Sequence, residues 1–234
     1  MSGYTYSHAR MNRKITPKSS APRYALKAPE REVAFRMEHI AAEKTKLVLK
    51  PHGDPQSHNA YKILDEEGSS AFTATGRKYN DRACRELRDS SGLPLFDIHM
   101  KPFSNPLGWV ITLPGSEIGD ATIAKATPQL TWNGVNLTFA FRNGAAEDSK
   151  NEDKRVMLTV KKHGQVLAFF DVVDGDRRIA ELRESITHNE KLVLRSMNRR
   201  SHRPALDLIV SPGVDISLVA AIAVVVSDWF FGSG

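Results

Sequence analysis

Hydrophobic and polar positions alternate in short runs along most of the chain, from about Lys44 onward. Turn sequences such as Asp65-Glu66-Glu67-Gly68 and Asn133-Gly134 separate the runs. A period of two is typical of strands with one buried face, and closely spaced turns favour an antiparallel meander over βαβ units. The pattern predicts an antiparallel sheet of about twelve strands, drawn from residues 45–50, 61–64, 71–75, 83–88, 95–100, 109–113, 121–126, 129–132, 136–142, 155–161, 166–173, 178–182, 191–196 and 205–210.

The end of the chain has a different pattern. Residues 216–226 carry no charge and a single hydroxyl, so the segment is apolar on every face and must be buried in protein or in lipid. As a helix it would be about 17 Å long, whereas a bilayer core of about 30 Å needs about 20 apolar residues, so we predict burial in protein and no transmembrane span.

Two alternatives exist for this terminal segment. Ala220, Ala221 and Ala223, together with Asp215 as an N-cap, favour a helix, whereas the valine run 224–226 favours a buried central strand. We favour the helix. A closed barrel of about eight strands is filled by its own side chains, but one of about twelve is hollow unless something occupies its axis. A helix about 10 Å across fits that space. The predicted fold is therefore all-β with one core helix: a closed antiparallel β-barrel of about twelve strands around a hydrophobic C-terminal helix.

Several stretches resemble the LURP-one-related family, which belongs with the Tubby C-terminal-like domains and the phospholipid scramblases. They are residues 45–50, 61–68, 76–78, 89–98 and, most specifically, 212–221, which begin Pro-Gly-Val-Asp. The resemblance covers about 44–229 and implies the same twelve-stranded barrel around a C-terminal helix. The polar connections 51–59 and 143–153 and the aromatic end at 227–231 depart from the family pattern.

Charge is unevenly distributed. The formal net charge is +6 at pH 7, and residues 1–29 alone carry six Lys and Arg with no Asp or Glu. Such a segment buries too little apolar surface to offset its ordering entropy, so we predict a disordered basic tail at 1–30. Residues 31–44 form a connecting segment for which a helix is one alternative, and the barrel domain is expected at 45–231.

The cysteine content and the tail bear on localisation. Cys84 is the single cysteine, which excludes an intramolecular disulfide and favours a cytoplasmic protein, membrane-associated or not. Nuclear or mitochondrial targeting by the basic tail stays open, although Pro17, Pro22 and Pro29 interrupt any amphipathic targeting helix.

The sequence shows no catalytic pattern, so we expect neither an enzyme nor a cofactor. His52, Asp54 and His58 share one polar loop, but no second cluster supplies further metal ligands at a recognised spacing. Asp174-Gly175-Asp176 lacks the distal Glu of a calcium loop. Cys84 is interpreted as a small filler in a structured segment, not as a nucleophile.

The remaining candidates are basic. They are Arg77, Lys78, Lys161, Lys162, Arg195, Arg199, Arg200 and Arg203. Arginine forks and lysines bind phosphate and other anions, so these residues are candidates for a lipid-headgroup or phosphate site. The alternative is a soluble surface with dispersed charge.

Two functional hypotheses follow. The first is a non-enzymatic, peripheral membrane-surface module that binds anionic or phosphoinositide lipids, as the resemblance to Tubby-like domains implies. The second is a protein-interaction or regulatory adaptor without lipid specificity, with the tail as a phosphorylatable switch at Thr16-Pro17. Nucleic acid is a disfavoured partner because basicity and three tail tyrosines are its only support.

Overall fold

The structure is a computed structural model of the chain. It describes residues 25–52, 60–79, 82–101, 108–116, 122–132, 134–146, 154–164, 167–189 and 203–232, with the backbone alone at 77–79, 82 and 83.

Twelve strands and one α-helix make up the described part of the chain. The strands are β1 (Thr45–His52), β2 (Ala60–Leu64), β3 (Ser70–Tyr79), β4 (Arg82–Asp89), β5 (Pro94–Lys101), β6 (Gly108–Thr112), β7 (Thr122–Thr131), β8 (Gly134–Arg142), β9 (Arg155–His163), β10 (Phe169–Asp174), β11 (Arg177–Glu184) and β12 (Leu206–Val210), and the helix is α1 (Ile216–Phe231). Each strand pairs antiparallel with its sequence neighbours, and β1 pairs with both β2 and β12, which closes the barrel. The predicted fold class is confirmed.

The helix α1 fills the barrel. Every residue from Ser217 to Ser227 is buried, and the inward side chains of the strands, such as Leu49 and Leu208, belong to the same core. Asp215 is the predicted N-cap: its side chain accepts hydrogen bonds from the N–H groups of Ser217 and Leu218. The helix runs past the predicted end at Val226 to Phe231, because its last turn packs against the rim of the barrel instead of entering solvent.

Strand alternation defines two ends of the barrel. We call the end at which α1 terminates the upper end; the connections β1–β2, β3–β4, β5–β6, β7–β8, β9–β10 and β11–β12 lie there. The other connections, and the start of α1, lie at the lower end.

The lower end is covered by residues 25–44. Val33 and Ile40 form isolated β-bridges to Val214 and Asp215, and a single 3-10 turn, Met37–His39, is the helical part of the predicted connecting segment. The second carboxylate oxygen of Asp215 accepts the backbone N–H groups of Phe35 and Arg36, each at 2.9 Å. Asp215 therefore joins this segment to the start of α1.

The predicted basic tail is described in part. Its residues 1–24 lie outside the described residues. Nearer the barrel, Leu26 forms a bridge with Arg178, and the Lys27 N–H donates to the Arg178 carbonyl at 2.9 Å. Residues 25–30 thus lie against β11.

The β7–β8 hairpin differs from the sequence prediction. The pattern predicts two strands at 121–126 and 129–132, but β7 is one strand that passes through Pro128. Its pairing with β6 ends at Ala126, so Pro128 has a described strand partner on one side only, a position where a strand tolerates proline.

The turn of this hairpin is also shifted by one residue. Thr131 pairs with Gly134, so Gly134 is the first residue of β8 and not part of the turn as predicted. The Thr131 hydroxyl donates to the Gly134 carbonyl at 2.8 Å, and Gly134 has φ 131°, a conformation that favours glycine. Trp132 is therefore at the tip of the hairpin instead of within a strand. The predicted strand at 191–196 lies outside the described residues.

Candidate functional site

The predicted basic residues that the structure describes all lie at the upper end of the barrel. Arg77 and Lys78 pair in register with Cys84 and Ala83 near the end of β3, which runs past its predicted end at Thr75. Lys161 and Lys162 pair with Asp171 and Phe170 at the end of β9. Arg203 precedes β12, whereas Arg195, Arg199 and Arg200 of the same connection lie outside the described residues.

The connections at the two ends differ in charge. The six upper connections, residues 53–59, 80–81, 102–107, 132–133, 164–168 and 185–205, contain three acidic and five basic residues. The five lower connections between strands, residues 65–69, 90–93, 113–121, 143–154 and 175–176, contain ten acidic and two basic residues. All five basic residues of the upper connections belong to 185–205, of which 190–202 lie outside the described residues, so the contrast between the two ends comes mainly from the acidic lower connections.

A buried ionic network ties the last turn of α1 to the upper rim. The Asp228 carboxylate accepts the Tyr61 hydroxyl at 2.7 Å and the Arg85 Nε–H at 2.8 Å. Arg203 Nη1 lies 2.9 Å from the Tyr61 hydroxyl oxygen and 3.3 Å from Asp228 Oδ1. Two guanidinium groups thus share one carboxylate.

Charge balance explains this arrangement. Asp228 carries a negative charge near the negative end of the helix dipole, where cations are favoured, and the two arginines supply them. Arg85 is only 4% exposed and its Nη1 has no hydrogen-bond partner within the described structure. Burial, followed by the charge of Asp228, raises the pKa of Tyr61, so the phenol stays protonated and can donate to the carboxylate. Both guanidinium groups also lie near the face of the Tyr61 ring, 5.9 and 5.8 Å from its centroid.

Aromatic side chains close the rim around this network. Trp229 packs edge-on against Trp109 with ring centroids 5.2 Å apart, and Phe230 lies 4.9 Å from Phe170. The Lys162 ammonium group lies 4.8 Å from the centroid of the Phe230 ring, a cation–π contact that positions this lysine over the end of the helix.

These contacts separate the predicted site residues into two kinds. Arg203 is 20% exposed and engaged by Tyr61 and Asp228, so it supports the rim. Lys162 is exposed, and its ammonium group lies over Phe230 at the upper end. Sequence reasoning missed Arg85 and Tyr61; the signal that pointed to them was Asp228, the one acidic residue in an otherwise uncharged terminal segment, which needs cationic partners once buried.

Other chemistry suggested by the sequence gains no support. Within the described ranges, no group of three or more His, Cys, Asp or Glu side chains is arranged to hold a metal ion. His52 lies on β1, while Asp54 and His58 fall outside those ranges. Cys84 lies on β4 and is buried. Among the described helices, none combines the length and the apolar character that crossing a bilayer requires.

Similarity to known proteins is found at the level of the family. Among curated proteins, none matches the sequence significantly. A crystal structure of an Arabidopsis thaliana protein is similar to this chain with a TM-score of 0.49 and 14% identity, over 82% of this chain and 94% of that one. The family model described as LURP-one-related matches residues 45–228, most of the chain and all twelve strands. This chain belongs to the LURP-one-related family.

Proposed function

We propose that this protein is a non-enzymatic, peripheral membrane-surface module that binds anionic lipids, phosphoinositides included, through the upper end of its barrel. The observation that carries the proposal is the charge polarity of the barrel axis. The basic β11–β12 connection and the basic strand ends at the upper end attract an anionic leaflet, and the acidic connections at the lower end are repelled by it, so the electrostatic field both recruits and orients the protein.

Membership of a family with a Tubby-like fold is consistent with this function but does not fix it. The rim itself supports the proposal further. The Asp228 network and the aromatic ring contacts hold the end of α1 rigidly, so basic side chains around it are presented on a firm support. The barrel interior is occupied by α1, which leaves the rim and the outer faces as the surfaces on which a ligand binds.

The energetic scale is adequate for reversible binding. Each Lys or Arg close to an anionic leaflet contributes about 1 kcal/mol, so a few basic side chains give several kcal/mol before ordering costs. The attraction is screened over about 8 Å at physiological ionic strength, so binding must weaken as salt rises.

Vesicle flotation of charge-matched variants tests the proposal. Arg77→Ala/Lys78→Ala removes two positive charges from the upper end, and Lys44→Ala/Arg155→Ala removes one Lys and one Arg from exposed positions at the lower end. On vesicles of phosphatidylcholine with phosphatidylserine, we expect the upper variant to bind roughly tenfold or more weakly and the lower one to bind like the wild type.

A second upper variant, Arg199→Ala/Arg200→Ala, tests the β11–β12 connection while it leaves Arg203 in its network. Vesicles that also contain a phosphoinositide separate general anionic attraction from headgroup preference. Equal weakening by the upper and lower pairs would show that net charge alone governs binding. If the wild type ignores anionic vesicles at low salt, the lipid proposal is wrong and the adaptor hypothesis replaces it.

A further inference from the structure

The β7–β8 hairpin carries the most exposed large apolar side chains of the described chain. Trp132 is fully exposed at the turn, and Leu130 is 90% exposed two residues before it. A large aromatic side chain in water at a hairpin tip has no packing role there, and together with Leu130 it gives the tip an apolar surface that can contact another apolar surface.

The end of the hairpin separates from the neighbouring strands of the barrel. Described pairing of β7 with β6 ends at Ala126, and that of β8 with β9 begins at Leu137. The last three rungs, from the Gln129–Asn136 pair to the Thr131–Gly134 pair, therefore have only each other as described strand partners. At about 3.4 Å per residue these rungs extend the hairpin roughly 10 Å beyond its last described pairing with a neighbouring strand, a length comparable to the depth of about 5–10 Å that interfacial elements reach in a bilayer.

The tip is suited to the boundary between headgroups and acyl chains. Residues 129–136 contain no charged residue, so insertion buries none. Their strand backbone groups are paired across the hairpin, and Thr131 donates its hydroxyl proton within it. Tryptophan is enriched at membrane interfaces because its ring is apolar and its indole N–H still finds a polar partner.

The tip and the basic residues lie at the same end. Lys161 and Lys162 are on β9, the strand next to β8, and Ile186, which is 75% exposed, lies in the β11–β12 connection of that end. An apolar tip beside basic side chains matches an anionic leaflet, in which negatively charged headgroups cover apolar acyl chains. A protein partner with an apolar pocket offers no equal reason for the uncharged projection to lie at the basic end.

From these observations we infer that the β7–β8 hairpin is a membrane anchor, with Trp132 and Leu130 inserting into the interfacial region of an anionic leaflet. This inference rests on the proposed function and adds a part to it: the basic residues recruit and orient the protein through a screened, salt-dependent attraction, and the hairpin adds a contribution that depends little on salt.

Fluorescence with vesicles of phosphatidylcholine and phosphatidylserine tests the anchor. Trp109 is buried and Trp229 packs against it, so Trp132 is the tryptophan whose emission should change on binding. We expect a blue shift with vesicles and quenching by lipids brominated near the headgroup end of the acyl chain, both lost in Trp132→Ala. This variant should bind about tenfold more weakly at every salt concentration.

Leu93→Ala is the matched control, because Leu93 is an exposed apolar residue in the β4–β5 connection at the lower end. It should bind like the wild type, and both variants should keep the wild-type melting temperature. If the wild type binds anionic vesicles but Trp132 is neither shifted nor quenched, and Trp132→Ala binds equally well, the anchor is wrong while the lipid function stands. A blue shift that appears without lipid as protein concentration rises would assign the tip to a second copy of the chain and overturn the anchor. Absence of any wild-type binding removes the lipid function, and the anchor with it.

Discussion

The hydroxyl of Tyr61 lies 2.7 Å from the carboxylate of Asp228, so β2 of the barrel wall is hydrogen-bonded to the last turn of the helix inside it. Arg85 approaches the same carboxylate from β4, and Arg203 approaches it from the connection that precedes β12. A helix held only by apolar contacts can shift along the barrel axis, whereas this directional network fixes its depth. The upper rim, on which the proposed membrane surface depends, is therefore set by Asp228.

Replacing Asp228 with Ala should destabilise the protein strongly. The change leaves Arg85 buried without a counter-charge, and removal of one partner from a buried ion pair typically costs about 3–5 kcal/mol. Tyr61→Phe, which keeps the ring and the ion pairs, should cost only about 1 kcal/mol. Urea unfolding followed by circular dichroism measures both free energies. If both substitutions lowered the free energy of unfolding by the same small amount, the network around Asp228 would not hold the helix in place.

The placement of α1 is tested by a buried charge. Ala221 is buried within the barrel, so Ala221→Lys introduces an unpaired ammonium group or forces the helix out of place, at a cost of several kcal/mol. Ala42→Lys, the same change at an exposed position, should leave the melting temperature nearly unchanged. A soluble Ala221→Lys protein that melts cooperatively near the wild-type temperature would contradict the buried helix.

Stability should decrease with rising pH through the titration of Asp215. Burial raises the pKa of its carboxyl above the ordinary range, although hydrogen bonds from Ser217, Arg36 and Leu218 oppose that shift. The folded state then holds this proton more tightly than the unfolded state does, so the stabilisation is full below the unfolded pKa and is lost as pH rises through the folded pKa.

Asp215→Asn isolates this contribution. The variant lacks the titrating group, and its amide NH₂ cannot accept the N–H groups of Phe35 and Arg36, so it should be about 1–3 kcal/mol less stable. The difference in the free energy of unfolding between the variant and the wild type should decrease as pH rises through the titration of Asp215. Urea unfolding from pH 4 to pH 7 measures it, and a difference that widens with pH would show that the pKa is lowered.

The N-terminal residues should divide into a dispensable part and a structural part. Residues 1–24 lack apolar periodicity, so their deletion should change the melting temperature by no more than a few degrees. Deletion of residues 1–36 also removes the hydrogen bonds of Val33 to Gly213 and of Ala34 to Asn143, and with them the partners of Asp215, so it should lower the melting temperature markedly. Thermal denaturation of the two truncated proteins checks this, and equal melting temperatures would contradict it.

The barrel and its core helix could be predicted because their signals are local. Alternation of apolar and polar residues identifies strands, and a segment such as 216–226, which is apolar on every face, must be buried. The last turn of α1 could not be predicted in the same way. Its burial depends on contacts of Asp228 with Arg85 and of Trp229 with Trp109, which are far away in the sequence.

The distribution of charge between the two ends of the barrel could not be predicted from the sequence. Successive connections alternate between the ends, so the end at which a connection lies depends on the number of strands before it. Splitting β7 at Pro128 adds one strand and moves the later connections, as far as the predicted strand at 191–196, to the opposite end of the barrel. With the observed number of strands, the connection 143–154, which is rich in acidic residues, lies at the lower end, and the connection 185–205, which is rich in basic residues, begins and ends at the upper end. The turn of the β7–β8 hairpin was also predicted one residue too late, so Trp132 lies at the tip of the hairpin and not within a strand.

The orientation of the barrel on an anionic membrane is the most direct measure of the central claim. Cys84 is the single cysteine and is buried, so a Cys84→Ala background allows one environment-sensitive dye to be attached at Ile186→Cys on the upper end or at Leu93→Cys on the lower end. With vesicles of phosphatidylcholine and phosphatidylserine at low salt, we expect the dye at position 186 to shift to the blue and brighten, and the dye at position 93 to stay as in water. A response at position 93 alone, or equal responses at both positions, would contradict membrane binding through the upper end.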